Sequence, residues 1–368
     1  MTNTGYKQSL YFGDEDTYGS AATVDQPIGL VQSVNPTETN TLIKVRTLGG
    51  TRDYSNIVPG KFEISGSFEY YLQGGAFLRQ GMSEDTSTTA TIDSGPKYHT
   101  GQTTTGTAYL HVMGSAESPL ADSFPSFTLE FADAEDSGAA AATVNLKRTY
   151  TGCRVNQMTV SGNVDNPVSV SVDWMAQGVT VSTGAASAVT EATVDPFVFY
   201  QGGVYSTSGT ITAYTAIEGT SAICEVNSFD FGVNNNLEAT WYVCGTTNVY
   251  QTVRGLKNLI AKGRDYTSSL GLHFKNKTQY QRFLGSSSAT TSQATLTDYT
   301  VVLDFVRSGT IGATPKLKTD NWMRVVMAGV KFADINIAGA PEDIVSENIT
   351  LDLESAKVYF VDTDASYQ

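Results

Sequence analysis

Hydrophobic and polar residues alternate with a period of two along most of this chain, the signature of half-buried β-strands. Phe62, Ile64, Phe68, Tyr70 and Leu72 fall on one face of an extended segment, and Glu63, Ser65, Ser67 and Glu69 on the other. The alternation recurs at Phe127, Leu129 and Phe131, and at Val155, Met158 and Val160 with one slip. Val168, Val170, Val172 and Trp174 oppose Ser169, Ser171 and Asp173. Later come Val301, Leu303 and Phe305, then Val330, Phe332, Ile335 and Ile337, then Ile349, Leu351 and Leu353. One-sided alternation rich in β-branched and aromatic residues predicts antiparallel sheets. Helical spacing is scarce. Residues 74–82 predict the start of a short helix with Phe77 and Leu78 inward, residues 280–284 one more turn, and residues 251–262 the clearest helix, with Val253, Leu256, Leu259 and Ile260 on one stripe.

Ser, Thr and Gly dominate residues 83–123, which read as an insertion with strand character only over 109–113. Residues 133–143 read as the tip of a long hairpin, and 182–193 as the core of an interdomain linker. The flanking halves resemble each other. Phe127–Phe131 matches Val301–Phe305 at a separation of 174, and Gly152 and Gly162 match Gly329 and Gly339 at 177. Ser171–Trp174 matches Thr350–Leu353 at 179, and Val31–Asn35 matches Val226–Asp230 at 195. Phe62–Tyr70 matches Tyr266–Phe274 at 204, and Phe77-Leu78 matches Phe283-Leu284 at 206. The blocks keep their order, which predicts a tandem duplication. The expected organisation is an N-terminal arm (1–23), a first β domain (24–181), a linker (182–196) and a second β domain (197–368).

Composition narrows the function classes. The 368 residues carry a net charge of −14, with only 16% charged, so the surface is polar but mostly uncharged. Gripping nucleic acid requires clustered Lys and Arg, which this balance opposes. No apolar run reaches the ~20 residues of a membrane helix. Residues 1–10 hold one Lys and no apolar centre, so no secretory signal is expected. Chemistry is sparse as well. The three histidines, His99, His111 and His273, have no partners at catalytic or metal-binding spacing, and neither a cofactor nor a metal is expected. Asp14-Glu15-Asp16 and Asp133, Glu135 and Asp136 lack the spacing of a calcium loop and read as solvated loop charge. If residues 233–236 turn a hairpin, Cys224 and Cys244 face each other across it as a thiol pair, free in a reducing compartment.

Three stretches resemble the tail tube proteins of tailed bacterial and archaeal viruses. They are Thr17-Tyr18-Gly19 with Pro27–Ser33; Val58–Glu69 continuing to Gly74-Gly75; and Pro196–Gly202 with Cys224–Phe229 and Asn234–Glu238. With the duplication, the likeness covers most of the chain. The resemblance implies two tandem antiparallel β-barrel or sandwich domains, each with a short flanking helix, and a structural rather than enzymatic role. It implies rings of six domains stacked into a tube for genome delivery, hence trimers of a two-domain chain. The implied partners are other copies of the chain, the tape measure, the tail tip or baseplate, and the terminator, with viral DNA passing unbound. Assembly in the host cytoplasm into the virion tail follows. Within such a tube, Glu63, Ser65, Ser67 and Glu69 are the candidate lumen-facing strand, a solvated outer face being the other reading. Residues 1–19, 83–123 and 133–143 are candidate ring-to-ring contacts, and 83–123 candidate surface decoration. Two other classes fit the composition: a secreted S-layer-like β protein, and a carbohydrate-active sandwich using carboxylates such as Glu63 or Asp173.

Overall fold

In a computed structural model the described residues are 8–48, 50, 52–83, 109–114, 124–134, 144–183, 186–190, 194–209, 211, 222–223, 225–241, 254–307, 322–341 and 343–362. The first half contains β1 (Gln8–Asp14), β2 (Gln26–Pro27), β3 (Leu30–Val45), β4 (Asn56–Tyr71), α1 (Leu78–Met82), β5 (Tyr109–Met113), β6 (Phe127–Ala134), β7 (Val144–Asn163), β8 (Ser169–Ala176) and β9 (Gly178–Ser182). The second contains β10 (Gly202–Thr207), β11 (Ala222–Ile223), β12 (Val226–Asn234), β13 (Glu238–Thr240), β14 (Asn258–Ile260), β15 (Asp265–His273), α2 (Thr278–Leu284), β16 (Tyr299–Val306), β17 (Trp322–Ala338), β18 (Ser346–Asp352) and β19 (Ser355–Asp362). The fold is mainly β, antiparallel and sandwich-like, with two short α-helices among the described residues. Among the described residues no sheet closes into a barrel.

The strand pairings repeat. In the first half β1 pairs β6, β6 pairs β7, β7 pairs β9, β3 pairs β4, and β8 joins β4 to β7. In the second, β10 pairs β16, β16 pairs β17, β17 pairs β19, β12 pairs β15, and β18 joins β15 to β17. Bulges recur at matching places: Val155/Gln157 in β7 and Phe332/Asp334 in β17, Val31/Ser33 in β3 and Val226/Ser228 in β12. Gly152 and Gly329 both take left-handed φ, 63° and 64°, where β7 and β17 leave one sheet for the other. The Gln177 amide donates to the Thr151 carbonyl at 3.0 Å, and that of Glu354 to Ala328 at 3.1 Å. A Cβ on Gly152 would sit 2.7 Å from Gln177, and one on Gly329 2.6 Å from Glu354.

The ladders also correct the alignment. Bulges and pairings place β6 and β16 at a separation of 172 rather than 174, and β8 and β18 at 177 rather than 179. They place β4 and β15 at 202 rather than 204. Alternating strands match nearly as well two residues out of step, so residue likeness alone slips by one pleat.

The halves join at two places. β7 pairs β12, so β3-β4-β8-β7-β12-β15-β18-β17 form one continuous eight-stranded sheet. On the other side, β5 pairs β19. Residues 109–113, read as part of a decoration, therefore extend the sheet of the opposite half. Residues 8–14, read as part of an arm, form β1 within the first sandwich.

One core runs through both halves. Phe12, Phe68, Phe77 and Phe127 meet edge to face with centroids 5.0–6.4 Å apart, so α1 is held by Phe77 and Leu78 as its spacing predicts. The expected helix over 251–262 is not formed in its described part: residues 258–260 are strand β14, paired to β13. Leu256 and Leu259 are buried, but against neighbouring segments rather than along a helical stripe. A single isolated helix of that length is marginal, and contacts to the first half hold the segment extended. The Arg254 carbonyl accepts from the Phe62 amide at 3.0 Å, and the Lys257 carbonyl from the Gln177 side chain at 2.9 Å.

Candidate functional site

The surface that invites a functional reading is the polar face of the eight-stranded sheet. On β4, Ile64, Phe68 and Tyr70 enter the core, while Glu63, Ser65, Ser67 and Glu69 stand on the opposite face, exposed or half-buried. Register carries this face across the sheet. Ser67 lies beside Asn35 of β3 and Asp173 of β8, and Glu69 beside Ser33 and Ser171. β7 continues it with Gln157, Thr159 and Ser161, and β12 with Asp230 and Asn234. β15, β18 and β17 add Thr267 and Ser269, Asn348 and Thr350, and Asp334 and Asn336.

Charge on this face is predominantly negative, with Lys331 of β17 beside Asp352. Residues 33–39, 63–71, 157–163, 169–175, 228–234, 265–273, 334–338 and 346–352 include no Lys or Arg. The acids facing outward are Glu63, Glu69 and Asp173 in the first half and Asp230, Asp265, Asp334 and Asp352 in the second. Two lysines stand toward the strand ends. Lys61 pairs with Glu63 at 2.7 Å, and Lys331 with Asp298 at 2.7 Å. Hydroxyls and amides tie the acids down: the Asp230 carboxylate accepts from the Ser269 amide at 2.9 Å and from the Ser269 hydroxyl.

The other singled-out residues have structural partners. Asp14 pairs with Arg79 at 3.0 Å and accepts from Gln26 at 3.0 Å and from Gln80. The Glu15 carboxylate accepts from the amides of Gly19 at 2.9 Å and Gly152 at 2.8 Å, and from the Thr128 hydroxyl at 2.9 Å. These acids are therefore fastenings of β1 to the first sandwich, not solvated loop charge. Asp133 accepts from Gln8 at 2.7 Å, while Glu135 and Asp136 lie outside the described residues. Glu63 stands four residues along β4 from Ser67, the register partner of Asp173. Among the described residues no group of three His, Cys, Asp or Glu side chains is placed to hold a metal, and no helix is long and apolar enough to cross a membrane.

The hairpin assumed for the thiol pair is not formed, because both sides of residues 228–234 are occupied, by β7 and β15. Cys224 and Cys244 themselves lie outside the described residues, as does His99. Cys153 is fully buried, and burial, then the nearby Glu15 carboxylate, push its thiol well above the usual range.

One feature escaped the sequence reading. β8 ends opposite Ile64, and among the described residues no further strand pairs with the far parts of β3 and β4, a two-stranded ribbon touched at its base by Arg254. Leu42, Ile43, Ile57 and Val58 are exposed on it, and Leu48 at its tip is fully so. Runs such as Leu42-Ile43 and Ile57-Val58 look like buried strand in sequence; only the missing neighbour reveals them as surface.

The sequence model of a family described as phage tail tube protein matches residues 5–354. No curated protein matches the chain. Among solved structures, the chain is similar to one in the cryo-EM structure of the anti-feeding prophage baseplate, 6-fold symmetrised. That similarity has 6% identity and a TM-score of 0.31, over 50% of this chain and 96% of the other.

Proposed function

The chain belongs to the phage tail tube protein family and is thus a structural component of a phage tail; from that premise we propose that it is a tandem duplication whose trimers close into pseudo-sixfold rings, stacked as the conduit for the viral genome. The observation that carries this reading is the internal joint between β7 and β12. It pairs the last strand of one half's sheet with the first strand of the next, head to tail. Among the described residues, the outer edge of β3 and that of β17 over residues 331–338 carry no second strand. They are the counterparts of β12 and β7, so the joint inside the chain is a template for a joint between chains. A heterologous contact repeated with the same rotation closes a ring or makes an open helix, and closure removes the exposed edges.

Transferring the internal register by the separations of 195 and 177 sets Asn35 opposite Ala338 and Pro36 opposite Ile337, as Asp230 meets Ser161 and Phe231 meets Val160. Three chains with eight strands each make a barrel of ~24 strands. At about 4.8 Å between strands and a tilt near 40°, its backbone diameter is about 45–50 Å, enough for a duplex. The polar face then lines the lumen. DNA presents a negative charge about every 1.7 Å, so a predominantly acidic wall offers little for its phosphates to exchange counterions against, and the duplex slides. The same copies would meet the tape measure, terminator and tip proteins at the tube's ends, with assembly in the host cytoplasm.

Electron microscopy of the purified protein at rising concentration tests this. Hollow tubes, or rings of sixfold appearance with the mass of three chains, are expected. Protein that stays monomeric at every concentration would contradict the reading.

A further inference from the structure

Resting on that ring reading, we propose that Asn40 is the polar lock of the joint between chains, repeating at the open edge of β3 what Asn235 does inside the chain. Asn235 directly follows β12 and is 1% exposed. Its Nδ2 donates to two carbonyls of the first half, Gly81 at 3.0 Å and Val155 at 3.1 Å. Its backbone amide donates to the Asn156 carbonyl at 2.8 Å, within the bulge of β7. The Arg264 guanidinium donates to its Oδ1 at 2.8 Å through Nε. That contact fixes the side chain: only the amide oxygen accepts from a guanidinium, so both Nδ2 hydrogens are left for the first half.

Asn40 holds the same place on β3. The separation of 195 between the two strands matches Asn40 to Asn235 and Leu42 to Leu237. Asn40 is exposed in the single chain, yet its amide is fixed in the same way. Arg254 donates to its Oδ1 at 2.7 Å through Nη2, and to the Gly60 carbonyl at 3.3 Å through Nη1. Among the described residues no acceptor meets the Asn40 Nδ2. The backbone agrees. Phe62, the register partner of Asn40, donates its amide to the Arg254 carbonyl at 3.0 Å, away from β3. In an antiparallel pair of that kind the opposite N–H also points away, here to the open edge.

On the receiving side, β17 has its bulge at Phe332/Asp334 where β7 has its own at Val155/Gln157, a separation of 177. The carbonyls of Phe332 and Ala333 are therefore the counterparts of those of Val155 and Asn156. Asn40 of one chain donates through Nδ2 to Phe332 of the next and through its backbone to Ala333. The Gly81 acceptor has no equivalent, because α2 ends at Leu284 whereas α1 runs on past its matching Leu78 to Met82. Closure buries Asn40 on the core side of the sheet, as Asn235 is buried now. A buried amide without an acceptor is costly, so a slip by one pleat, which alternating residues alone tolerate, strands Nδ2. The lock thus sets the register of the joint.

Asn40→Asp separates the two jobs of this side chain. A carboxylate still accepts from Arg254 but has no hydrogen to give the Phe332 carbonyl. The variant is expected to keep the parental thermal transition and to need at least tenfold more protein to form rings in sedimentation. Thr37→Asp adds the same charge to the polar face of the same strand and is expected to form rings like the parent. Rings of Asn40→Asp at the parental concentration would overturn the assignment, as would an equal loss in Thr37→Asp. A lowered thermal transition in Asn40→Asp would overturn it too, placing Asn40 in the service of the fold. Parent protein that forms no rings at all would instead overturn the tube reading beneath it.

Discussion

Ile337→Asp is expected to leave the chain folded and to abolish ring closure. In the single chain Ile337 lies on the open edge of β17 and is 40% exposed, so a carboxylate there remains hydrated. Its internal counterpart, Val160, is 1% exposed because β12 covers it. Closing the ring with Asp at 337 would drive an unpaired carboxylate against Pro36 of the neighbour, under the core face of the sheet. Burying an unpaired charge costs several kcal/mol even after relaxation. About 3 kcal/mol per joint corresponds to roughly a hundredfold in affinity, and a closed trimer has three joints. Sedimentation should find monomers where the parent forms rings, with an unchanged thermal transition. Ile337→Val should assemble normally. Rings formed by the Asp variant at parental concentration would refute β17 as the closing edge.

The second large effect concerns the outer sheet. Asp304 and Arg324 are register partners on β16 and β17, exposed 0% and 2%. The guanidinium meets the carboxylate at 3.1 Å through Nε and 3.2 Å through Nη2, and Trp322 donates to the same carboxylate at 2.7 Å. The guanidinium also lies over the Trp322 ring, 4.7 Å from its centroid. Removing one partner of a buried ion pair strands the other and costs about 3–5 kcal/mol, whereas replacing both can be nearly neutral. Arg324→Met should therefore lower the unfolding temperature by about 5 °C. Asp304→Leu/Arg324→Met should regain more than half of that loss. A single variant as stable as the parent would show that the pair does not hold this sheet.

Much of the fold was legible because the strands obey local rules. The runs at Phe62–Leu72 and Val168–Trp174 carry their inside and outside in alternate letters, and the slip after Val155 is a real bulge. What was illegible depended on distant partners. Asp14 and Glu15 look like loop charge in sequence, yet their donors sit on Arg79, Thr128 and Gly152. Leu256 and Leu259 have helical spacing, but contacts to the first half keep their segment extended. Glu63, Ser65, Ser67 and Glu69 could be placed on one polar face from sequence. That the face spans eight strands with predominantly negative charge required the pairing of β7 with β12. The ribbon was invisible because an exposed Ile43 and a buried Ile64 are written alike.

The most direct test of ring closure is covalent. With Cys224 and Cys244 replaced by Ser, Asn35→Cys/Ala338→Cys should be bridged by a short bis-maleimide in the assembled protein. The account predicts dimers and trimers on a denaturing gel, with three chains as the limit however long the reaction runs. A ladder continuing past three would mean an open helix rather than a ring, and a product that stays monomeric would mean that β3 and β17 never meet.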